Sequence, residues 1–230
     1  MSHIYTIIRK QCKDTLKNNT VLIQFLMFPL LSIVMSNAVR LPDMPANFFV
    51  NLFSTMYIGM APLTSVSAII SEEKEKQTLR VLLFSGVRPL QYLLGIGSYI
   101  FLACMLGSTV FCCLLKDADA LWHILFLLIM AAGILASMTL GAVIGIYSSN
   151  QMSATSVTVP VMMVFSFLPM LSMFNEKIAR IAKFTYSGQI RLLLEQAHSG
   201  ELLQPLVVIA ANSLVFVLLF CFCYKKKGLE

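Results

Sequence analysis

The sequence predicts an all-α, polytopic membrane protein, and two observations carry that prediction. Of the 230 residues, 58% are hydrophobic and only 12% are charged, whereas a soluble domain carries about 25% charged residues. In addition, Asp, Glu, Lys and Arg are absent from five long stretches: residues 18–39, 44–71, 89–115, 120–175 and 202–224. Each stretch provides the roughly 20 apolar residues that an α-helix needs to cross a bilayer.

Four of these stretches accommodate one transmembrane helix each, and the longest accommodates two. Residues 120–175 number 56, and the polar residues from Tyr147 to Gln151 interrupt them near the middle. We therefore predict a single transmembrane domain, residues 1–230, with six spans at about residues 20–39, 48–70, 91–115, 121–147, 152–174 and 205–224. A cleaved signal peptide over residues 1–38 is the alternative for the first span, but its apolar run is long enough to be retained as a helix.

The distribution of basic residues predicts the orientation in the membrane. Six spans place both termini on one side, which carries 11 of the Lys and Arg residues, against 6 on the other side. The positive-inside rule then places both termini in the cytoplasm. The net charge of +6 is concentrated at the ends of the spans, and no basic face interleaved with aromatic residues indicates nucleic-acid binding.

Two segments outside the spans also have helical patterns. Residues 1–17 predict an amphipathic helix with an apolar stripe of Ile4, Ile7 and Ile8, whose basic residues are expected to face lipid headgroups: Arg9, Lys10 and Lys13. In the external segment, apolar residues recur at helical spacing: Ile190, Leu193, Leu194 and Ala197. They predict a short helix, which either re-enters the outer leaflet or lies flat on the membrane surface.

The cytoplasmic segment between spans two and three carries the main functional signal. Ser71 is a good N-cap, and the acidic residues favoured by the dipole of a helix N-terminus follow it: Glu72, Glu73 and Glu75. An apolar stripe comes next: Leu79, Leu82 and Leu83. Gly86 is suited to end the helix. We therefore predict an amphipathic helix over about residues 71–85, which either binds a partner protein or rests on lipid.

This segment resembles the coupling-helix region of the permease subunits of type-2 ABC exporters. The typical pattern there is E-x-E-x-G-T-L-E-x-L-L, followed by a small residue and Pro, and the matching residues are Glu73, Glu75, Thr78, Leu79, Leu82 and Leu83. The chain departs from the pattern at Gln77 (usually Gly), Arg80 (usually Glu) and Gly86 (often Pro). The order of the predicted helices along the whole chain is also similar to that of the family.

The resemblance implies a function and a set of partners. It implies the transmembrane subunit of an ATP-driven exporter in a bacterial cytoplasmic membrane, which forms the translocation path as a homodimer or heterodimer among membrane lipids. A separate ABC ATPase subunit would bind ATP and Mg²⁺, and this chain would need no cofactor. The ATPase would dock at Glu72, Glu73, Glu75, Thr78, Leu79, Leu82 and Leu83. The implied cargo is an amphiphilic peptide, a lipid-like molecule or a drug.

The motifs that are absent weigh against other functions. The chain has no G-x-x-x-x-G-K-[ST] loop to bind ATP, and no charged residue lies within the spans to bind a driving ion. An ATP-independent carrier or channel, or a membrane sensor, nevertheless remains an alternative. Glu72-Glu73 lacks the arginine of an E-E-x-x-x-R protease motif, and no G-x-S-x-G or C-x-x-C occurs, so we expect neither catalytic residues nor a metal site.

Small residues and prolines predict how the spans pack. Small residues recur at every fourth position in span four: Gly133, Ser137, Gly141 and Gly145. They predict close helix packing, either within one subunit or at a dimer seam. In span five, Pro160 and Pro169 each remove a backbone donor. The nearby hydroxyl groups, on Thr155, Ser156 and Thr158, are expected either to bond the freed carbonyls or to line a polar path.

Overall fold

The computed structural model describes residues 2–17, 19–39, 45–116, 119–196 and 203–227. Within these ranges the chain forms α-helices and no strand, which confirms the predicted all-α class. The helices are α1 (Ser2–Lys17), α2 (Asn19–Ala38), α3 (Phe48–Glu75), α4 (Thr78–Phe84), α5 (Pro89–Cys113), α6 (Ala120–Tyr147), α7 (Gln151–Leu171), α8 (Glu176–Ala182), α9 (Tyr186–Gln196) and α10 (Leu203–Lys227).

Six of these helices correspond to the predicted spans, and each begins within two residues of its predicted start. Five of them, namely α3, α5, α6, α7 and α10, are long and apolar enough to cross a membrane. The chain is therefore a multi-pass membrane protein. In α2 the apolar stretch Leu22–Ala38 is shorter, so a sixth span remains a prediction. The polar break lies where we predicted it, because α6 ends at Tyr147 and α7 begins at Gln151.

Helix α3 forms the centre of the bundle, and α2, α6 and α7 pack around it. The small-residue stripe of α6 faces α3 of the same chain. A Cβ atom at Gly141 would meet the backbone of Leu63, and Cβ atoms at the flanking glycines, Gly133 and Gly145, would meet Ile58 and Ile70. Ser137, between these glycines, donates its hydroxyl to the carbonyl oxygen of Ile58 (2.6 Å). The stripe therefore brings two helix backbones of one subunit together, as small residues do in lipid.

Helices α8 and α9 form a hairpin that inserts into the bundle. Helix α9 packs against α3, α6, α7 and α10, and its residues Tyr186, Ile190 and Leu193 are buried. The Tyr186 hydroxyl lies 2.7 Å from Ser137 Oγ. Ser137 also bonds Ile58, which lies ten residues into α3. At 1.5 Å per residue, this places Tyr186 about 15 Å below the start of α3.

A contact with α10 gives the same depth independently. Asn212 lies nine residues into α10, and its side-chain amide donates to the carbonyl oxygen of Phe184 (3.0 Å) in the turn before α9. The corresponding depth is again about 14 Å. The tip of the hairpin is therefore near mid-bundle, which favours the re-entrant alternative over a helix lying flat on the surface. Ala197, which the predicted stripe included, lies outside the described residues.

Candidate functional site

The helix predicted over residues 71–85 is divided in the structure, and the predicted N-cap is wrong. Helix α3 continues without interruption to Glu75, so Ser71 lies within it. A new helix, α4, begins only at Thr78. The three glutamates therefore lie at the C-terminal end of α3, where the helix dipole disfavours negative charge. Neighbouring groups, and not the dipole of their own helix, must therefore stabilise the three negative charges.

A short hinge of Lys76 and Gln77 separates α3 from α4. Gln77 has a φ angle of +57°, a left-handed conformation that favours glycine. The backbone N–H of Gln77 donates to the Lys74 carbonyl (3.1 Å), and Thr78 Oγ1 donates to the Glu73 carbonyl (3.2 Å). These bonds cap the last turn of α3. The conformation gives a physical reason for the glycine that usually occupies this position in the resembling motif.

Two of the glutamates at the end of α3 bind partners nearby in the bundle. Glu72 Oε1 lies 2.5 Å from Lys76 Nζ, one turn further along the chain, and this hydrogen bond raises the pKa of Lys76 above its ordinary value. Glu75 Oε2 accepts from the backbone N–H of Gln151 (2.8 Å), which is the first residue of α7. There the dipole of α7 favours a negative charge. Glu75 therefore holds α3 against the start of α7.

Lys74 ties the same turn of α3 to the end of α6. Its Nζ donates to the carbonyl oxygen of Ile146 (2.8 Å), in the last turn of α6, where free carbonyls attract a cation. The end of α3 thus contacts both helices at the α6–α7 junction, one through Lys74 and the other through Glu75.

Glu73 points in a different direction, towards α1 and α5. It is 6% exposed, and its Oε1 accepts from Lys10 Nζ (2.5 Å) and from Gln11 Nε2 (2.8 Å). The Tyr92 hydroxyl lies beside this carboxylate, and both that hydroxyl and Glu73 Oε2 are buried without a hydrogen bond of good geometry. Glu73 is therefore enclosed by other residues of the chain.

The structure also changes the view of α4, because the predicted leucine stripe does not face outwards as a unit. Leu79 is 1% exposed, and Leu82 is half-buried against the core, while the side chain of Leu83 lies outside the described residues. The exposed side of α4 instead carries Val81 at 62% and Phe84 at 82% exposure.

A positive charge lies beside this exposed apolar surface. The Arg80 guanidinium carbon lies 6.0 Å from the centre of the Phe84 ring, which places the charge over an aromatic face. We call the surface formed by Arg80, Val81 and Phe84 the outer face of α4.

Helix α1 lies against α5, and one of its basic residues does not have the predicted orientation. Lys10 was expected to face lipid headgroups, but it pairs with Glu73 instead. Ile7 is buried against Gly95 of α5, where a Cβ atom would lie only 2.9 Å from the Ile7 side chain. Arg9 and Lys13 remain exposed, as the amphipathic pattern predicted.

Sequence reasoning missed the residues that complete the Glu73 cluster. Gln11 and Tyr92 are far from Glu73 in the chain, and neither belongs to a recognised motif. One signal was available: Gln11 follows Ile7 by one helical turn, so a polar residue lies on the apolar face of α1. Within the ranges described, no group of three His, Cys, Asp or Glu residues is arranged to hold a metal. The site offers paired charges and an exposed apolar surface, which suit binding and positioning.

Comparison with known proteins identifies the family. No curated protein is matched by this sequence. A family model described as "ABC-2 family transporter protein" matches residues 2–223, and these residues include all of α1 to α9 and most of α10. Permeases of this family are membrane transport components without a nucleotide-binding domain of their own, and their partner in general is an ABC ATPase. The chain belongs to the ABC-2 family, as the permease subunit of an ABC transporter.

Proposed function

We propose that this permease is the membrane subunit of an ATP-driven exporter, and that a separate ATPase docks on the outer face of α4. The observation that carries this proposal is the exposure of Val81 and Phe84 on a short helix outside the membrane spans. Exposed apolar residues on a helix that is not itself a span suit a protein interface, and a helix that rests on lipid is the competing interpretation. In this proposal ATP and Mg²⁺ bind to the partner, and both termini of this chain are cytoplasmic.

The docking surface proposed here differs from the set of residues that the sequence predicted. Leu79 and Leu82 hold α4 against the bundle, whereas Glu72, Glu73 and Glu75 bind other parts of this chain. The outer face of α4 combines an apolar centre with Arg80 at its margin. Its complement on the ATPase is an apolar groove with carboxylates on the rim. Phe84 is the expected anchor, because large exposed aromatic residues dominate interface energies.

The translocation path is proposed to form between two copies of the permease, or between this permease and a related one. Helices α2 and α7 lie on the flanks of α3, and α7 exposes Thr155 and Ser156 among apolar residues. Their hydroxyls bond the carbonyls of Gln151 and Ser153, and not the carbonyl that Pro160 leaves free. They are therefore available to line a polar path. The many exposed apolar side chains of α7 suit an amphiphilic cargo such as a peptide, a lipid-like molecule or a drug.

The test of docking compares two phenylalanines of similar exposure. Phe84 ends α4, and Phe174 follows the C-terminal end of α7. Phe84→Asp should reduce co-purification of the ATPase from gently solubilised membranes at least about tenfold, as expected for loss of an anchor residue. The control is Phe174→Asp, because Phe174 is 76% exposed but lies beyond the far end of α7. The ATPase is identified by mass spectrometry and by vanadate-sensitive ATP hydrolysis.

Two measurements, co-purification and transport, separate the alternatives. Equal recovery of the ATPase with both variants would refute docking through the outer face of α4. Transport that persists in membranes without any ABC ATPase would instead support an ATP-independent carrier or channel.

A further inference from the structure

We propose that Glu73 is a positioning residue that fastens α1 to the hinge between α3 and α4, so that α1 moves together with α4. This role rests on the proposed coupling through α4, but the contact itself can be tested without any ATPase. It differs from the docking role that the motif implies for Glu73, because the carboxylate is buried and accepts from Lys10 and Gln11 of α1.

The first argument is the composition of the contact. Lys10 and Gln11 of α1 both donate to the same oxygen of Glu73, and the side chain of Glu73 is only 7% exposed. A carboxylate so deeply buried is stable only while it is paired, since a buried charge that loses its partner is strongly destabilising. Detachment of α1 would therefore take from Glu73 its charged partner, whereas the exposed Glu72–Lys76 pair is expected to contribute little.

The second argument is the position of the contact. Glu73 precedes Gln77 by only four residues, and its own carbonyl accepts from Thr78, the first residue of α4. A displacement of α4 therefore acts directly on the turn that carries Glu73. From there Lys10 leads to α1, whose Ile7 packs closely against Gly95 of α5. These side-chain contacts connect the hinge to the first turns of the third span, in addition to the connection through the backbone.

The third argument is the unused hydrogen-bonding capacity of the cluster. Glu73 Oε2 and the Tyr92 hydroxyl are both buried without a partner of good geometry, although they lie side by side. A small shift of the end of α3 would let Tyr92 donate to Glu73. The carboxylate can therefore remain satisfied in a second arrangement of the same helices, which is what an element with two positions requires.

The test is hydrogen exchange of α1 amides, residues 5–15, in the detergent-solubilised full chain. Glu73→Gln should accelerate this exchange by about tenfold or more, because Lys10 and Gln11 would then donate to a neutral amide that holds α1 less tightly. Glu72→Gln is the matched control: it removes an adjacent carboxylate that pairs with Lys76. Asp14 of α1 also acts on Lys76, so a small change is expected, and the exchange of α1 should rise far less than in Glu73→Gln. The reversed pair Lys10→Glu with Glu73→Lys should restore part of the protection.

Two results would overturn the proposal. One is unchanged exchange of α1 in Glu73→Gln, and the other is equal acceleration in Glu72→Gln. A variant that does not fold would show rapid exchange in α9 as well, and Lys10→Met then takes the place of Glu73→Gln in the same comparison.

A second measurement examines coupled movement in the complex. With the ATPase bound, addition of ATP and vanadate should change exchange in α4 and α1 together in the natural protein, and in α4 alone in Glu73→Gln. If α1 still follows α4 in the variant, Glu73 does not couple them. If the natural protein bound no ATPase, the proposed function would be wrong. The exchange of α1 in the isolated chain would still decide the role of Glu73.

Discussion

Gly59 is predicted to be essential for the packing of α3 against α7, and Gly59→Ala tests this. A Cβ atom at Gly59 would lie 2.7 Å from three backbone atoms of Phe165 and Ser166 in α7. No side chain can rotate away to relieve these contacts, so the two helices must separate. Overpacking of this kind costs about 1–3 kcal/mol.

The matched control is Gly97→Ala in α5. The new Cβ there would lie 3.6 Å from the Met138 side chain, which is an ordinary contact. Both variants gain about 1 kcal/mol of helix propensity, because alanine replaces glycine within a helix. The difference between them therefore isolates the steric cost of about 1–3 kcal/mol. At about 2–4 °C per kcal/mol for a chain of this size, we expect Gly59→Ala to melt several degrees below Gly97→Ala.

Thermal unfolding in detergent with a thiol-reactive dye provides the assay, since Cys104 and Cys112 are buried and free. They become reactive as the bundle opens. If Gly59→Ala melted at the same temperature as Gly97→Ala, or higher, the close approach of α3 and α7 would be wrong.

Two further predictions concern backbone strain and a partly exposed carboxylate. Gln77→Gly should stabilise the chain by about 0.5–1 kcal/mol. The left-handed conformation costs a residue with a side chain about 1–2 kcal/mol, and the greater entropy of glycine in the unfolded chain offsets part of that gain. Lys76→Gly is the control and should only destabilise, because φ is −78° there. Burial raises the pKa of the Glu195 carboxyl above its ordinary value, although Arg191 opposes this. The folded state therefore binds the Glu195 proton more tightly than the unfolded state does. The protonated carboxyl stabilises the fold below the ordinary carboxyl pKa, and this contribution is lost as pH rises through the raised pKa. Glu195→Gln should therefore melt at or above the natural protein at pH 7.5, and the difference should disappear near about pH 4; a lower melting temperature at pH 7.5 would contradict this.

The positions of the long helices could be predicted because their signal is local. An uncharged stretch of sufficient length identifies an apolar helix wherever its neighbours lie, and the starts of α3, α6 and α7 followed from such stretches. Gly86 also has the positive φ angle that the end of α4 requires.

The candidate site was predicted less well, because its residues are assigned by distant contacts. The acidic residues looked like the first turn of a new helix, since Ser71 and the glutamates fit an N-terminus. Helix α3 extends through them because their charges are neutralised from outside, by Lys10 of α1 and by the N-terminus of α7. No pattern within residues 71–85 contains that information.

The sequence by itself determined that the chain is a helical membrane protein, and it located the segment outside the spans that bears the family motif. Hydrophobicity and helix-breaking residues act over neighbouring positions, so a reader of the sequence has all the information that they contain. Only the tertiary structure decided which side of α4 is free and where Glu73 points. An amphipathic pattern shows which residues share a face, but whether that face meets the same chain, lipid or a partner depends on helices that are distant in the sequence.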